Sequence, residues 1–302
     1  MPGILSRYLR PEVISQLESF QFRPRGLVEG NLAGAHKSPF HGFAVEFAGH
    51  RQYLPGDDIR HIDWKVYYKS GRYVLKQYEA ETNLVAHVLL DASESMEYGS
   101  RGQSKLDYAK ELAAALGCLI LNQRDKVGAA IFDTEVRTTL PPSNSFNQLR
   151  FMFDAFEGRG PTGESQAGRA LGQYATKAGR RGIVIVISDF FTDLEALFDG
   201  VRRLKFDRHE VVLLQVVDDD ELVFPLRGMT RFIGLENLGQ RLIEPQRIRD
   251  SYLRKFTEFL AGLRRGAEQC QADYFQANTA LTLGANLVGY LNSRPTGRRV
   301  GA

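Results

Sequence analysis

The sequence predicts an α/β protein built on a doubly wound, mostly parallel sheet, and two apolar segments carry this prediction. Residues 84–90 and 183–187 are near-continuous apolar runs, which are typical of strands buried on both faces of a parallel sheet. From residue 84 onward, strand-like and helix-like segments alternate, as such a sheet requires. The 302 residues, 43% of them hydrophobic, are enough to bury a full-size core.

The segment 84–293 supplies the elements of this sheet. A helix is predicted at 105–123, because its apolar residues recur on one helical face. The strand 126–132 and the β segment 134–140 are expected to form a hairpin that stops at Pro141-Pro142 and gives the sheet an antiparallel edge. Further helices are predicted at 147–156, 166–178, 194–204 and 248–271, and further strands at 210–217, 231–235, 240–243 and 274–277.

The first 83 residues differ in composition and are predicted to form an N-terminal β-rich extension. After a short helix at 11–20, residues 52–79 are rich in Tyr and Val and contain the turn signal Ser70-Gly71. The apolar pattern is too sparse for an independent core. The tail 294–302, with Pro, Gly and three Arg, is expected to be mobile.

The composition limits the classes of function. The net charge of +3 is too small to indicate a nucleic-acid or membrane partner. Cys118 and Cys270 lack the spacing of a disulfide or zinc site and are expected to be reduced core residues. The longest apolar run, 112–121, is too short to span a bilayer, and no signal-peptide pattern is seen, so a cytoplasmic location without a membrane span is expected.

Polar residues follow the two buried strands at the point where each strand ends. Asp91, Ser93 and Ser95 come directly after the first run, and Ser188-Asp189 after the second. Because ligands bind at the carboxyl edge of open α/β sheets, these side chains are expected to meet there. Two carboxylates and several hydroxyls, with no Cys or His nearby, favour a Mg²⁺ site over a nucleophilic triad.

This pattern resembles the metal-ion-dependent adhesion site of von Willebrand factor A domains. The resemblance implies a sheet of von Willebrand factor A type, with Asp91, Ser93, Ser95 and Asp189 around Mg²⁺ or Mn²⁺. It also implies a middle hydroxyl, for which Ser165 and Thr162 are both candidates. Ser165 is preferred because it precedes Leu171 by about six residues, the distance found in the family.

A second resemblance covers nearly the whole chain. The segment 51–64, Arg-Gln-Tyr-Leu-Pro-Gly-Asp-Asp-Ile-Arg-His-Ile-Asp-Trp, is similar to the signature of the family called domain of unknown function 58. Members pair that segment with a von Willebrand A-like domain and are often encoded beside MoxR-type AAA+ ATPases. The resemblance therefore implies a non-catalytic adaptor for such an ATPase, which recognises an acidic side chain of a protein partner through its metal.

Other interpretations of these residues stay open. The polar side chains of the Asp91 loop could instead serve only to cap the following helix, and the protein would then be a structural interaction module with a vestigial metal site. A metal-dependent hydrolase would need a general base, and Glu94 is the nearby candidate. Asp57, Asp58, His61 and Asp63 could bind a metal, but a capped turn paired with basic residues beside a buried Trp64 is favoured. No phosphate-binding Gly-x-x-x-x-Gly-Lys motif is present, so any ATP hydrolysis belongs to a partner.

Overall fold

The structure is a computed structural model. It describes residues 8, 11–17, 20, 22, 45–54, 57, 59, 62–80, 84–158, 160, 163–179, 181–233 and 239–294. The chain forms two compact units, Pro24–Asn83 and a larger one that joins Met1–Arg23 to Leu84–Ala302. The first residues were predicted to belong to the N-terminal extension. They group with the sheet because helix α1 (Pro11–Leu17) buries Val13 and Leu17 in its core.

The smaller unit contains two antiparallel strands, as predicted, and a helix that was not. Strand β1 (Val45–Gln52) pairs with β2 (Val74–Ala80), and helix α2 (Trp64–Ser70) lies between them in the chain. The Tyr and Val residues of this stretch favour a strand. The helix forms because Asp63 accepts hydrogen bonds from the first free amides, Lys65 N at 3.0 Å and Val66 N at 3.3 Å. Gly71, at φ 66°, ends it in the left-handed conformation that glycine allows.

The larger unit is built on the predicted mostly parallel sheet, which has six strands. They are β3 (Val85–Asp91), β4 (Lys126–Phe132), β5 (Val136–Ser143), β6 (Ile183–Ser188), β7 (Glu210–Val217) and β10 (Asp273–Asn278). Their order across the sheet is β10-β7-β6-β3-β4-β5. All neighbours are parallel except β4 and β5. A separate hairpin joins β8 (Thr230–Ile233) to β9 (Gln240–Ile243). The doubly wound, mostly parallel sheet implied by the resemblance to von Willebrand factor A domains is confirmed.

Strand β5 corrects one detail of the prediction. The segment was expected to stop before Pro141-Pro142, but β5 continues to Ser143. Because β5 lies at the edge of the sheet, the amide hydrogens that these prolines lack are not needed by a further strand.

Helices cover the sheet on both faces. They are α3 (Lys105–Asn122), α4 (Asn147–Glu157), α5 (Ala167–Ala175), α6 (Leu194–Phe206), α7 (Asp219–Val223), α8 (Pro245–Gln269) and α9 (Leu283–Ser293). Helix α8 begins earlier than predicted because Pro245 suits the first helical turn. Neither α7 nor α9 was predicted, although Thr282 caps α9 and its apolar residues have helical spacing. Of the described helices, none combines the length and the apolarity that crossing a membrane requires.

The strands alternate between two cores, one on each face of the sheet. Val88 and Leu90 lie in the core under α3, and Leu89, between them, lies in the core under α5 and α6. Cys118 is free and buried, as predicted, whereas Cys270 is free but only partly buried. Gly168 lets α5 pack closely on α6, because a Cβ there would lie 2.2 Å from the Ala196 carbonyl oxygen. This packing fixes the start of α5, which follows Ser165, a residue of the site described below.

Arg294, the first residue of the predicted tail, is buried and ties the last helix to the sheet. Its guanidinium donates to Tyr290 Oη at 2.6 Å, pairs with Glu210 at the start of β7, and lies 3.4 Å from Asp273 Oδ2. It also stacks 4.6 Å from the centre of the Phe22 ring. One buried cation therefore holds two strands and two further segments together.

Replacing Arg294 by Met should lower the free energy of unfolding by about 3 kcal/mol, since it leaves the carboxylates of Glu210 and Asp273 without this cation. Urea unfolding followed by circular dichroism measures this change. Arg203→Met is the matched control, because Arg203 is 56% exposed and pairs with Asp207, the C-cap residue of its own helix, so its loss should cost under about 1 kcal/mol. An equal loss of unfolding free energy in the two variants would show that the buried ion pairs of Arg294 stabilise the fold no more than the exposed pair of Arg203.

Two buried histidines lie near the amino ends of the strands. His87 Nδ1 is 2.8 Å from Tyr174 Oη, and the His87 and His209 rings are 6.1 Å apart. Within the described residues, the Nε2 atoms of both rings are buried without a hydrogen-bond partner. Burial, and then the charge of His209, lower the pKa of His87 from 6.5 to about 4, and burial lowers the pKa of His209. Both rings are therefore neutral at physiological pH.

The protein should lose stability in mild acid through His87. Its folded pKa lies below the usual value, so between these two values the unfolded chain takes up a proton that the folded chain excludes. The stabilisation is complete above about pH 6.5, and roughly 2–3 kcal/mol is lost as the pH falls towards 4.5. Urea midpoints across this range measure the loss. His87→Gln should make it shallower, and a parallel loss in parent and variant would contradict this assignment.

Candidate metal centre

The candidate site lies where β3 and β6 end side by side. In their parallel register Leu90 is opposite Ile187, so the next residues of both strands, Asp91 and Ser188-Asp189, emerge at the same edge. All three are buried. The structure thus brings together the two acidic residues that the sequence placed at one edge, although 97 positions separate Asp91 from Ser188.

The Asp91 carboxylate collects hydrogen bonds from three segments of the chain. Its Oδ2 accepts from Ser165 Oγ at 2.7 Å and from Ser188 Oγ at 2.6 Å. Its Oδ1 accepts from Ser93 N at 2.9 Å. These bonds join the loop after β3, the segment before α5 and the end of β6 around one buried carboxylate.

The predicted hydroxyls lie in the same place. Ser93 is buried and leads into a short 3-10 helix, Glu94–Glu97, and its Oγ is 3.1 Å from that of the partly exposed Ser95. Ser165, also buried, holds the third position through its bond to Asp91. Thr162, the alternative to Ser165, lies outside the described residues.

Asp189 has a partner that the sequence analysis missed. Its Oδ1 accepts from Phe191 N at 3.0 Å, and its Oδ2 lies 2.7 Å from the ammonium nitrogen of Lys105. The same ammonium lies 2.7 Å from Glu221 Oε1 in α7 and 4.7 Å from the centre of the Phe191 ring. One signal could have identified Lys105: it opens helix α3, where the helix dipole disfavours a cation.

Among the described residues of the site, negatively charged side chains outnumber positively charged ones. Burial, and then the neighbouring Asp189 carboxylate, raise the pKa of Asp91 to about 6, although three hydrogen bonds oppose the shift. Among the described residues, no cationic side chain pairs with Asp91. Burial acts to lower the pKa of Lys105, but the carboxylates of Asp189 and Glu221 outweigh it and raise the pKa above its usual value. Lys105 therefore stays charged. Burial also raises the pKa of Glu221.

The donor set fits a hard divalent cation. It consists of the carboxylates of Asp91 and Asp189 and the hydroxyls of Ser93, Ser95 and Ser165, all oxygen ligands of the kind that Mg²⁺ and Mn²⁺ take. Within the described part of the chain, no group of three or more His, Cys, Asp or Glu side chains gathers around a common point that could hold a metal. A cation bound here would offset the repulsion by Asp189, which adds to the effect of burial on the pKa of Asp91.

Glu94, the candidate general base, is engaged in fixing a loop. Its Oε1 accepts from Gly163 N at 3.1 Å, and its own amide donates to Gly163 O at 3.0 Å. These two bonds hold the segment before α5 against the loop after β3. The contacts assign Glu94 a structural task beside the site.

Asp57 and Asp63, the described acidic residues of the cluster in the smaller unit, are engaged in an ion pair and a helix cap, as favoured from the sequence. Asp57 forms a two-pronged ion pair with Arg51, with both N–O distances 2.7 Å, and accepts from Leu54 N at 2.9 Å. Asp63 caps α2 and lies 2.9 Å from His50 Nε2. Asp58 and His61 lie outside the described residues. The predicted burial of Trp64 is wrong, since 51% of it is exposed on α2.

Several solved structures are similar to this chain. The match to an aerotolerance-related membrane protein from Bacteroides fragilis covers 70% of this chain and 100% of that one, with 18% identity and a TM-score of 0.48. The match to BatB from Bacteroides thetaiotaomicron covers 70% of this chain and 100% of that one, with 16% identity and a TM-score of 0.44. The match to the vWF domain of the pilus tip protein Mfa5 from Porphyromonas gingivalis covers 74% of this chain and 99% of that domain, with 13% identity and a TM-score of 0.39.

Sequence comparison assigns the family. The uncharacterized protein Rv1480 of Mycobacterium tuberculosis is 26% identical over 298 residues, which cover 96% of this chain and 92% of that protein. An uncharacterized protein of Mycobacterium bovis, Mb1516, matches equally well. The family model described as "Protein of unknown function DUF58" matches residues 49–259, more than half of the chain. The chain therefore belongs to the DUF58 family.

Proposed function

We propose that this protein is a non-catalytic interaction module whose binding to a protein partner depends on Mg²⁺ at the Asp91 site. The observation that carries the proposal is the convergence of two buried carboxylates and three hydroxyls from separate loops. Asp91, Ser93, Ser95, Ser165 and Asp189 would hold the metal. Mn²⁺ takes the same oxygen ligands and can replace Mg²⁺.

The same residues favour recognition over catalysis. The octahedral shell of Mg²⁺ has one more position than these five side chains fill, and an acidic side chain of a partner can take that position in place of water. Such a carboxylate contact is charge-assisted and directional. Hydrolysis would need a base beside the metal, and the Oε1 atom of Glu94 already binds Gly163 N.

The partner that family resemblance favours is a MoxR-type AAA+ ATPase, for which this chain would act as an adaptor in chaperone or complex-maturation activity. The sequence carries no phosphate-binding motif of its own, so ATP hydrolysis would belong to that partner. The proposed compartment is the cytoplasm, in which the free thiols of Cys118 and Cys270 would stay reduced.

Asp91→Asn should weaken metal binding at least about tenfold, because it removes a charged ligand while the amide oxygen can still accept hydrogen bonds. The free Mn²⁺ signal in electron paramagnetic resonance measures the affinity directly. Asp199→Asn is the control, since Asp199 is an exposed carboxylate on α6 that pairs with Arg202. Identical Mn²⁺ affinities for the parent and both folded variants would exclude Asp91 as a ligand.

The same variants test the partner. The purified MoxR-type ATPase from the same genome should bind the immobilised parent protein and Asp199→Asn equally, and Asp91→Asn at least about tenfold more weakly. Because the ATPase uses Mg²⁺ itself, the comparison of variants at constant Mg²⁺ is more informative than chelation. Equal binding by all three proteins would refute the metal-dependent adaptor. Hydrolysis of a phosphate ester by the parent, but not by Asp91→Asn, would favour the hydrolase alternative.

A further inference from the structure

The Lys105 ammonium is a cation built into the candidate site. Its side chain is 1% exposed, and its nitrogen lies 2.7 Å from Asp189 Oδ2, an oxygen of a predicted metal ligand. The second carboxylate that it contacts, Glu221 Oε1, lies at the same distance and belongs to α7. A lysine this deeply buried persists only where charged partners compensate its desolvation.

Lys105 lies where the backbone itself does not stabilise a positive charge, so its ammonium depends on the two carboxylates. It is the first residue of α3, after the N-cap Ser104, where the free amides of the helix already present positive charge. The backbone therefore disfavours the ammonium, and the two carboxylates hold it there. Its placement is determined by Asp189 and Glu221.

We propose that Lys105 is a resident counter-ion of Asp189 that competes with the divalent cation and so sets the metal affinity of the centre. This inference rests on the proposed function. Asp189 Oδ1 already accepts the Phe191 amide and Oδ2 contacts Lys105, so a metal that binds Asp189 competes with Lys105 for the negative charge of this carboxylate. A unit positive charge this close also repels the incoming cation.

Glu221 gives the displaced ammonium a place to remain. Its Oε1 contacts Lys105, and its Oε2 accepts from the amide of Asp218 at 2.9 Å as part of the capping box of α7. Glu221 is therefore held in position whether or not Lys105 contacts Asp189. The exchange of ammonium for metal at Asp189 leaves Lys105 paired, which avoids the cost of an isolated buried charge.

Mn²⁺ titration of the full chain tests this inference. Lys105→Met keeps much of the length of the side chain but removes its charge, and should bind Mn²⁺ at least about tenfold more tightly than the parent. The control is Lys126→Met, which removes an exposed charge at the first residue of β4. This residue lies at the amino ends of the strands, whereas the site lies at their carboxyl ends. This variant should bind as the parent does.

The outcomes separate the inference from the proposed function. Tighter binding by Lys105→Met alone supports the competition. Equal binding by the parent and Lys105→Met overturns the competition and leaves the metal site standing. The absence of Mn²⁺ binding in all three proteins overturns the metal site and the competition with it.

A measurement on the parent protein covers the case in which Lys105→Met does not fold. The rate at which an amine-reactive reagent modifies Lys105 is followed by mass spectrometry of its peptide, with and without saturating Mn²⁺. Displacement from Asp189 should raise this rate several-fold, while the rate at the exposed Lys126 stays constant. An unchanged rate at Lys105 under conditions where Mn²⁺ binds would overturn the inference.

Discussion

The pairing of β3 with β6 is the constraint on which the site depends. Parallel register places the ends of both strands at one buried edge, and each of them is followed by a carboxylate. Two like charges repel each other strongly when they are buried, and the structure compensates the two carboxylates differently. Asp91 is compensated by hydroxyls and an amide, and Asp189 by the ammonium of Lys105. One acid therefore has only neutral partners, and the other has a cation.

This asymmetry decides which carboxylate gains more from a metal. Asp91 lacks a cationic partner within the described residues, and burial and then the Asp189 charge raise its pKa. Asp189 would exchange one cation for another. A divalent ion between them would supply the charge that Asp91 is missing, and the proposed competition by Lys105 would limit how tightly it binds. Such a site would suit reversible occupancy more than a permanent structural metal.

The sequence predicts this edge better than it predicts the partners there. Residues 84–90 and 183–187 are recognisable as buried strands, and the carboxyl ends of parallel strands meet, so Asp91 and Asp189 could be placed together. A cation at the start of a helix could single out Lys105, but it does not identify Asp189 and Glu221 as the partners, which lie 84 and 116 positions away.

The errors in the smaller unit have a different cause. Its Tyr and Val residues favour strands, but the cap at Asp63 and the left-handed Gly71 select a helix. A few hydrogen bonds at the ends of a short segment outweighed its average preference. Trp64, predicted to be buried beside the turn, is instead the first residue of this helix and is exposed.

A raised carboxyl pKa would not by itself distinguish this site, and Asp125 shows why. Burial raises the pKa of Asp125, like that of Asp91, to about 6. Its Oδ1 accepts from Leu84 N at 3.1 Å, which ties the loop before β4 to the start of β3, and no neighbouring described carboxylate contributes to its shift. Asp91 differs because a second carboxylate and hydroxyls from separate loops converge on it. Burial alone explains Asp125 as a structural residue, whereas Asp91 lies in a shell of oxygen atoms that a cation would complete.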